Sequence, residues 1–257
     1  MMKKRLLTSM MIAMCALTVN AAPLSVYDIQ YTADASGDSS YMDQTVDCDG
    51  GIVINKWVGG STKLTIYDPS NPDGWGGIIS KAYDGEFDGI QIGDMISFTN
   101  VLVEERSGNT QLTFETASGS GISVLSPGNT LPAGLIVTDS IFSEQYESMK
   151  VVLEDVQITV MDLGRYSDNY NLQNGTGDYW AGDYMNVDNG VFDDYHSSVT
   201  IGAEFDSISG IIEHKISDEW DYYQMLTEDS SSFVPEPTTM ALLAAGAIMV
   251  RKRRKTQ

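Results

Sequence analysis

The sequence predicts an all-β fold built from two modules, and three observations support this prediction. Short apolar or alternating segments recur along the 257 residues, whereas long helical periodicity is missing. Turn-forming residues separate these segments, as in Asp68-Pro69-Ser70-Asn71-Pro72-Asp73-Gly74. The order of the segments then occurs a second time, which is typical of a duplicated unit.

Residues 1–21 have the three parts of a secretory signal peptide. Lys3, Lys4 and Arg5 form a basic start, Leu6 to Val19 is largely apolar, and Val19-Asn20-Ala21 offers the small residues that signal peptidase prefers. We therefore expect an N-terminal signal helix that is removed on export. A core helix is the alternative interpretation of the same segment.

Residues 22–126 are predicted to form the first β module. Its predicted strands are Thr45–Ile54, Lys63–Tyr67, Gly76–Ser80, Asp94–Glu104, Gln111–Glu115 and Gly121–Leu125. An extra glycine, Gly50 or Gly51, interrupts the alternation of the first strand and predicts a β-bulge. Cys48 is the one cysteine of the exported body, so no intramolecular disulfide can form there. We expect Cys48 to be a buried strand residue rather than a reactive thiol.

The Pro- and Gly-rich residues 127–134 are the predicted linker, and residues 135–233 the second module. The second module has a long insertion, residues 162–196. Its predicted strands are Lys150–Val160, Gly182–Val187, Ser207–Glu213 and Tyr222–Thr227. Two matches illustrate the repeat: the aromatic-glycine segment at 74–78 corresponds to that at 179–183, and Gln111-Leu112-Thr113 corresponds to Gln224-Met225-Leu226-Thr227.

Three segments of the first module carry a family resemblance. The strand VDCDGGIVI, the pair Gly93-Asp94 before the next long strand, and the closing Gln111-Leu112-Thr113 resemble the OB-fold modules of exported bacterial nuclease-associated proteins. Asn100 departs from that pattern, because a glycine is usual there; the second copy keeps Gly210. The resemblance implies two tandem OB-like five-stranded barrels. The first barrel would be filled by Val46, Cys48, Ile52, Ile54, Ile96, Phe98, Val101 and Val103.

The charge of the body limits its ligands. Eight of the 15 basic residues lie at 3–5 and 251–255, so the remainder has 7 basic residues against 35 of the 36 acidic ones, a net charge of about −28. Such a surface repels phosphate backbones, and nucleic acid is therefore not expected as a partner. Tyr179, Trp180 and Tyr184 are candidate ligand-binding aromatics, with extracellular polysaccharide as the favoured ligand. Packing of these aromatics, with the insertion, onto its own barrel is the preferred interpretation, because large aromatic side chains are usually buried.

Sequence motifs for catalysis or for a metal are missing. There is no Gly-x-Ser-x-Gly, no His-Glu-x-x-His and no phosphate-binding glycine loop, so we predict no catalytic residues and a protein that is not an enzyme. An accessory or metal-dependent component of a nuclease or glycan hydrolase is the alternative. His196 has no ligands at zinc-site spacing, and His214 is expected at the surface. Asp183, Asp188 and Asp193 are weak Ca²⁺ candidates; a solvated loop is the preferred interpretation, and no cofactor is predicted.

The C-terminus combines three features. Pro235-Glu236-Pro237 is followed by an apolar segment, Thr238 to Val250, and then by the basic residues Arg251, Lys252, Arg253, Arg254 and Lys255. A helix over the apolar segment would be about 20 Å long, against a hydrocarbon core of about 30 Å. We therefore expect a short transmembrane helix with a basic stop-transfer end. A permanent short anchor is one interpretation of this tail.

Together, these features of residues 234–257 resemble the PEP-CTERM sorting signal of Gram-negative bacteria. The resemblance implies recognition by exosortase, a membrane protease-transpeptidase, and processing near Pro235-Glu236-Pro237. With the signal peptide, it predicts export by the secretory pathway, transient anchoring in the inner membrane, and a final place at the cell surface or in extracellular matrix.

Overall fold

The computed structural model describes residues 22–34, 36–83, 85–137, 142–161, 170–174, 177–183, 200–216, 221–228 and 230–236. The predicted signal helix and the predicted apolar tail helix therefore lie outside the described residues. Within the described residues, no helix has both the length and the apolar character needed to cross a membrane.

Six strands form the first sheet. They are β1 (Thr45–Val58), β2 (Thr62–Tyr67), β3 (Gly77–Ala82), β4 (Met95–Arg106), β5 (Asn109–Thr113) and β6 (Gly121–Ser126). Antiparallel pairing joins β1 to both β2 and β4, and a parallel pair joins β3 to β5. The order β1-β2-β3-β5-β4 thus closes on itself as a ring of five strands, and β6 adds to β4 outside the ring. A short helix, α1 (Val26–Gln30), precedes the sheet and is stabilised by a Ser25–Asp28 capping box.

Seven strands form the second sheet and repeat the same ring. They are β7 (Leu135–Ile136), β8 (Lys150–Met161), β9 (Tyr170–Asn174), β10 (Gly177–Asp183), β11 (Glu204–Ile216), β12 (Asp221–Thr227) and β13 (Phe233–Pro235). The ring order is β8-β9-β10-β12-β11, closed by the β8–β11 pair, and β10 is parallel to β12. The all-β prediction is confirmed. The strand added to the first ring, β6, was among the predicted strands, whereas β7 and β13, which add to the second ring, were not.

A β-bulge in β1 changes which side chains fill the first barrel. Gly50 has φ 68°, and the pairing with β4 shifts between Cys48 and Gly51. Because a shift of one residue reverses the faces of a strand, Val53 enters the barrel core after the bulge. The prediction that Ile52 and Ile54 fill this barrel was therefore wrong: they pack with Ile211 of β11 in a separate cluster.

The remaining predicted core residues are buried as expected, and Asn100, with φ 55°, interrupts the alternation of β4 so that Phe98 and Val101 both face inward. Cys48, Ile96, Phe98, Val101 and Val103 are buried in the first barrel, and Val46 packs against that core. The second barrel has its own core, centred on Val151, Leu153, Ile158, Leu172, Ile208, Ile212 and Met225.

The two barrels contact each other directly. Ile52 and Ile54 of the first barrel pack against Ile211 of the second. Trp75 N donates to Gln145 O at 2.6 Å, and Ile216 N donates to Ser107 O at 2.7 Å. Main-chain hydrogen bonds and an apolar cluster therefore join the modules along one junction.

Candidate functional site

A polar groove of about 260 Å³ lies at the junction, lined by strands of both modules. Lys63, Lys81 and Arg106 come from the first module, and Glu213 and Lys215 come from β11 of the second. Residues 22–234 contain only 7 basic residues, and four of them line this groove. The groove therefore concentrates positive charge in a strongly acidic protein.

Strand pairing explains why the lysines of the first module meet. Lys63 of β2 stands directly opposite Lys81 of β3. Two like charges at directly opposed positions destabilise a sheet. Aromatic neighbours offset part of this repulsion: Lys63 Nζ lies 5.9 Å from the ring centre of Trp57, and Lys81 Nζ lies 4.8 Å from that of Tyr83.

The second module adds Lys215 and one carboxylate to the groove. Lys215 Nζ lies 3.4 Å from Glu213 Oε1. Burial lowers the pKa of Lys63; Glu213 opposes that change, and the charges of Lys215 and Lys81 add to it. Glu213 is the one acidic side chain among the described lining residues. The groove thus has more positive charge than its own carboxylate neutralises.

A second cluster, formed by the partly buried Glu144 and the buried Glu147 and His214, lies in the same junction. Glu144 is the first residue of a 3₁₀ turn (Glu144–Tyr146), Glu147 caps the end of that turn, and His214 lies on β11. One carboxylate oxygen of each glutamate and one ring nitrogen of His214 lie within 4.8 Å of one another. Because side chains alternate along a strand, His214 points away from the groove that Glu213 and Lys215 line.

Hydrogen bonds fix the orientation of all three side chains. Glu147 Oε1 accepts from Thr110 N at 3.0 Å and from Gln30 Nε2 at 3.4 Å, both in the first module. His214 Nε2 lies 3.0 Å from Asp221 Oδ1, and His214 Nδ1 lies 3.5 Å from Glu144 Oε2. In addition, the Tyr223 hydroxyl donates to Glu144 Oε2 at 2.5 Å.

Burial and the shared negative charge shift the pKa values of the cluster. Burial raises the pKa of Glu147 well above its usual range, and the neighbouring Glu144 raises it further. Burial alone would lower the pKa of His214, but hydrogen bonds to Glu144 and Asp221 outweigh that effect and raise it overall. The pKa of Tyr223 is raised by burial and then by Glu144.

The expectation of a surface His214 was wrong. The side chain is buried at 6% exposure, its ring stacks on Tyr223 with centroids 4.0 Å apart, and Asn109 holds its main chain. The sequence carried no signal for this cluster, since Glu144 and His214 are far apart in the chain and meet only through the tertiary fold.

The comparison with protein families decides the nature of the C-terminus. The model described as "PEP-CTERM protein-sorting motif" matches residues 233–255. This chain carries a PEP-CTERM sorting motif. The motif indicates an exported protein that exosortase sorts, with a membrane-anchored stage before the extracellular one. No curated protein matches the chain in sequence.

Several solved structures are similar over most of the chain. "Structure of murine DNA binding protein bound with ds DNA" has 11% identity and a TM-score of 0.34, covering 73% of this chain and 98% of the other. A replication protein A heterotrimer bound to ssDNA has 8% sequence identity and a TM-score of 0.24, and the match covers 81% of this chain and 69% of the other. The Ifi202 HINa domain in complex with 20bp dsDNA has 8% sequence identity and a TM-score of 0.34, and the match covers 71% of this chain and 92% of that domain.

The sorting motif begins inside the second sheet. Phe233, Val234 and Pro235 form β13, which pairs with β11, and Phe233 is buried with its ring centre 5.2 Å from that of Phe205. Glu236 follows the strand, whereas Pro237 and the basic residues 251–255 lie outside the described residues. Processing near the Pro-Glu-Pro sequence would thus take place next to the folded body.

The predicted ligand-binding residues of the insertion are only partly placed. Tyr179, Trp180 and Asp183 belong to β10, for which the backbone is described. Tyr184, Asp188 and Asp193 fall outside the described residues. These candidates therefore remain predictions.

Proposed function

We propose that this chain is an exported surface or extracellular-matrix protein whose two OB-like barrels form one non-enzymatic binding unit. Its ligand would be an acidic extracellular polysaccharide, held in the junction groove. The sorting motif supports the destination, and the clustering of four basic side chains in the groove supports the ligand class.

The charge distribution is the observation that carries this proposal. In a body of about −28 net charge, four of the six basic residues that the structure describes line this groove. The other two are Lys56, which donates to main-chain carbonyls, and Lys150, which pairs with Glu228. Clefts lined by one sign of charge focus the field and attract the opposite sign. Arg106 suits a carboxylate because its guanidinium binds both oxygens together, and the lysines add point charges.

Neighbouring groups favour a sugar over a simple anion. Gln111 and Ser107 supply hydrogen-bonding groups in the groove, and the half-exposed ring of Tyr83 beside Lys81 offers a flat face for a sugar ring. A long phosphate chain would run from the groove across acidic surface, which repels it. Carboxylates that are separated by neutral sugars, as in a partly methyl-esterified polygalacturonate, avoid most of that repulsion.

Binding of the purified chain to partly methyl-esterified polygalacturonate, to neutral dextran and to a single-stranded oligonucleotide tests the proposal. We expect polygalacturonate binding that falls about tenfold in each of Lys81→Gln and Arg106→Gln, since a charged hydrogen bond contributes about 1.5–3 kcal/mol. Glu213→Gln should tighten binding, because it removes the one carboxylate among the described groove residues. Lys56→Gln removes a charge outside the groove and serves as the control, with folding checked by circular dichroism.

Two results would overturn the proposal. One is equal binding of dextran and polygalacturonate, or binding of the oligonucleotide alone. The other is reproducible turnover of a nucleic acid or glycan by the wild-type chain, which would favour the accessory or metal-dependent hydrolase instead.

A further inference from the structure

We propose that Glu144, Glu147 and His214 bind one divalent transition-metal ion, Zn²⁺ by the chemistry of the donors, inside the junction between the modules. The three donor atoms already lie within 4.8 Å of one another. This site is separate from the groove, because it lies on the opposite face of β11. The Glu147 and His214 side chains are buried from solvent.

The donor set selects the class of metal. One imidazole nitrogen with two carboxylate oxygens suits Zn²⁺ and related ions, whereas Ca²⁺ takes 6–8 oxygen ligands. At metal–ligand distances of about 2.0–2.2 Å, tetrahedral donors are about 3.4 Å apart. The donors would therefore need to move together by roughly an ångström, which side-chain rotation can supply.

A second observation points to an ion independently of the donor spacing. Glu147 is fully enclosed at 1% exposure, and its Oε2 atom has no hydrogen-bond partner among the described residues. Burying a carboxylate oxygen without a partner is costly. In the described part of the chain, His214 is the one basic side chain that forms an ion pair with any of these carboxylates. A bound cation would supply the missing partner of Glu147.

The surrounding hydrogen bonds match those of a metal site. Asp221 Oδ1 holds His214 Nε2, which leaves Nδ1 directed at Glu144, and metal-binding histidines usually have such a carboxylate on the other nitrogen. Thr110 and Gln30 of the first module hold the opposite oxygen of Glu147. Metal binding would thus fix the position of one module against the other.

Titration of the chelator-treated full-length chain with Zn²⁺ tests the proposal, followed by calorimetry and by thermal unfolding. We expect one ion per chain and a higher melting temperature with the ion. His214→Gln and Glu147→Gln should abolish this binding, and Asp221→Asn should weaken it by about 10–100-fold. His196→Gln changes the only other histidine of the sequence and should bind as the wild type does.

Folding is separated from binding by using both ligand variants. Glu147→Gln keeps the size and an amide oxygen for Thr110 and Gln30, so circular dichroism should show an intact fold even if His214→Gln disturbs it. Substitution with Co²⁺ should give visible absorption bands that His214→Gln lacks. The proposal is overturned if the wild type does not bind Zn²⁺, if folded Glu147→Gln binds it equally, or if His196→Gln alone loses it.

Discussion

At the scale of single residues, Cys48 shows how position changes chemistry. Burial raises the pKa of its thiol to about 12 from the ordinary 9.0, and the charges of nearby aspartates add to this effect. A thiol with a raised pKa is less ionised at any pH below that value, and the thiolate is the reactive form. At pH 8 the thiolate fraction falls from roughly one tenth to about one in ten thousand.

Alkylation of Cys48 should accordingly be very slow in the folded chain. We expect iodoacetamide at pH 8 to modify it about 1000-fold more slowly than in denaturant, and the native rate to rise with pH up to about 12. Peptide mapping by mass spectrometry follows Cys48 separately from Cys15. Modification at the rate of a free thiol under native conditions would contradict the buried position.

The β-bulge in β1 requires glycine at position 50. This bulge changes which of the following side chains face the core of the first barrel. A Cβ atom there would lie 2.1 Å from Ile96 O, and the φ of 68° is disfavoured for other residues. We predict that Gly50→Ala lowers the free energy of unfolding by about 3 kcal/mol, measured by denaturant titration. Gly60→Ala is the control, because nothing lies within 4 Å of its Cβ position, and it should stay within about 0.5 kcal/mol of the wild type.

At the scale of elements, the sequence predicted the type of most strands but not every consequence of their geometry. The glycines in β1 predicted a bulge, yet the faces of Ile52 and Ile54 were assigned by uninterrupted alternation. Strand β9 was not predicted, since Leu172 is the one described residue of that strand that enters the core. Strand β13 is only three residues long and contains a proline, which argues against a strand in any sequence pattern.

Strand β13 ties the start of the sorting motif to the body. Phe233→Ala removes a buried ring packed on Phe205, and we expect a loss of about 3 kcal/mol in unfolding free energy. Val234→Ala changes the exposed neighbour on the same strand and should be near neutral. Limited proteolysis should cut the Phe233→Ala chain faster near residues 233–236, while equal cutting of both variants would count against the anchoring role.

At the scale of the whole molecule, both the groove and the buried cluster arise from the contact between modules. The packing of the two barrels places Lys81 and Lys215 in one groove and brings Glu147 to Thr110. No local sequence pattern encodes that packing. The repeat itself was visible in the sequence, whereas the surface that each copy presents to the other depends on the bulge in β1 and on the turn before β8. The sorting motif could be predicted because it is a continuous segment.

The junction has one position where the two main chains leave no room for a side chain. A Cβ atom on Gly77 would lie 2.4 Å from the carbonyl carbon and oxygen of Ser148 and 2.6 Å from Met149 N. Because main-chain atoms of two packed barrels cannot yield locally, we predict that Gly77→Ala separates the modules while each barrel keeps its own core. Gly89→Ala, with nothing within 4 Å of its Cβ position, is the matched control.

Small-angle scattering and denaturant unfolding measure this separation. The radius of gyration should increase in Gly77→Ala, and the barrels should unfold in two transitions where the wild type has one, because the shared interface no longer couples them. Polygalacturonate and Zn²⁺ binding should both weaken, since the groove is lined by side chains of both modules and Thr110 and Gln30 of the first module hold Glu147 in place. An unchanged scattering profile with a single wild-type transition would show that the close approach at Gly77 is not what holds the junction together.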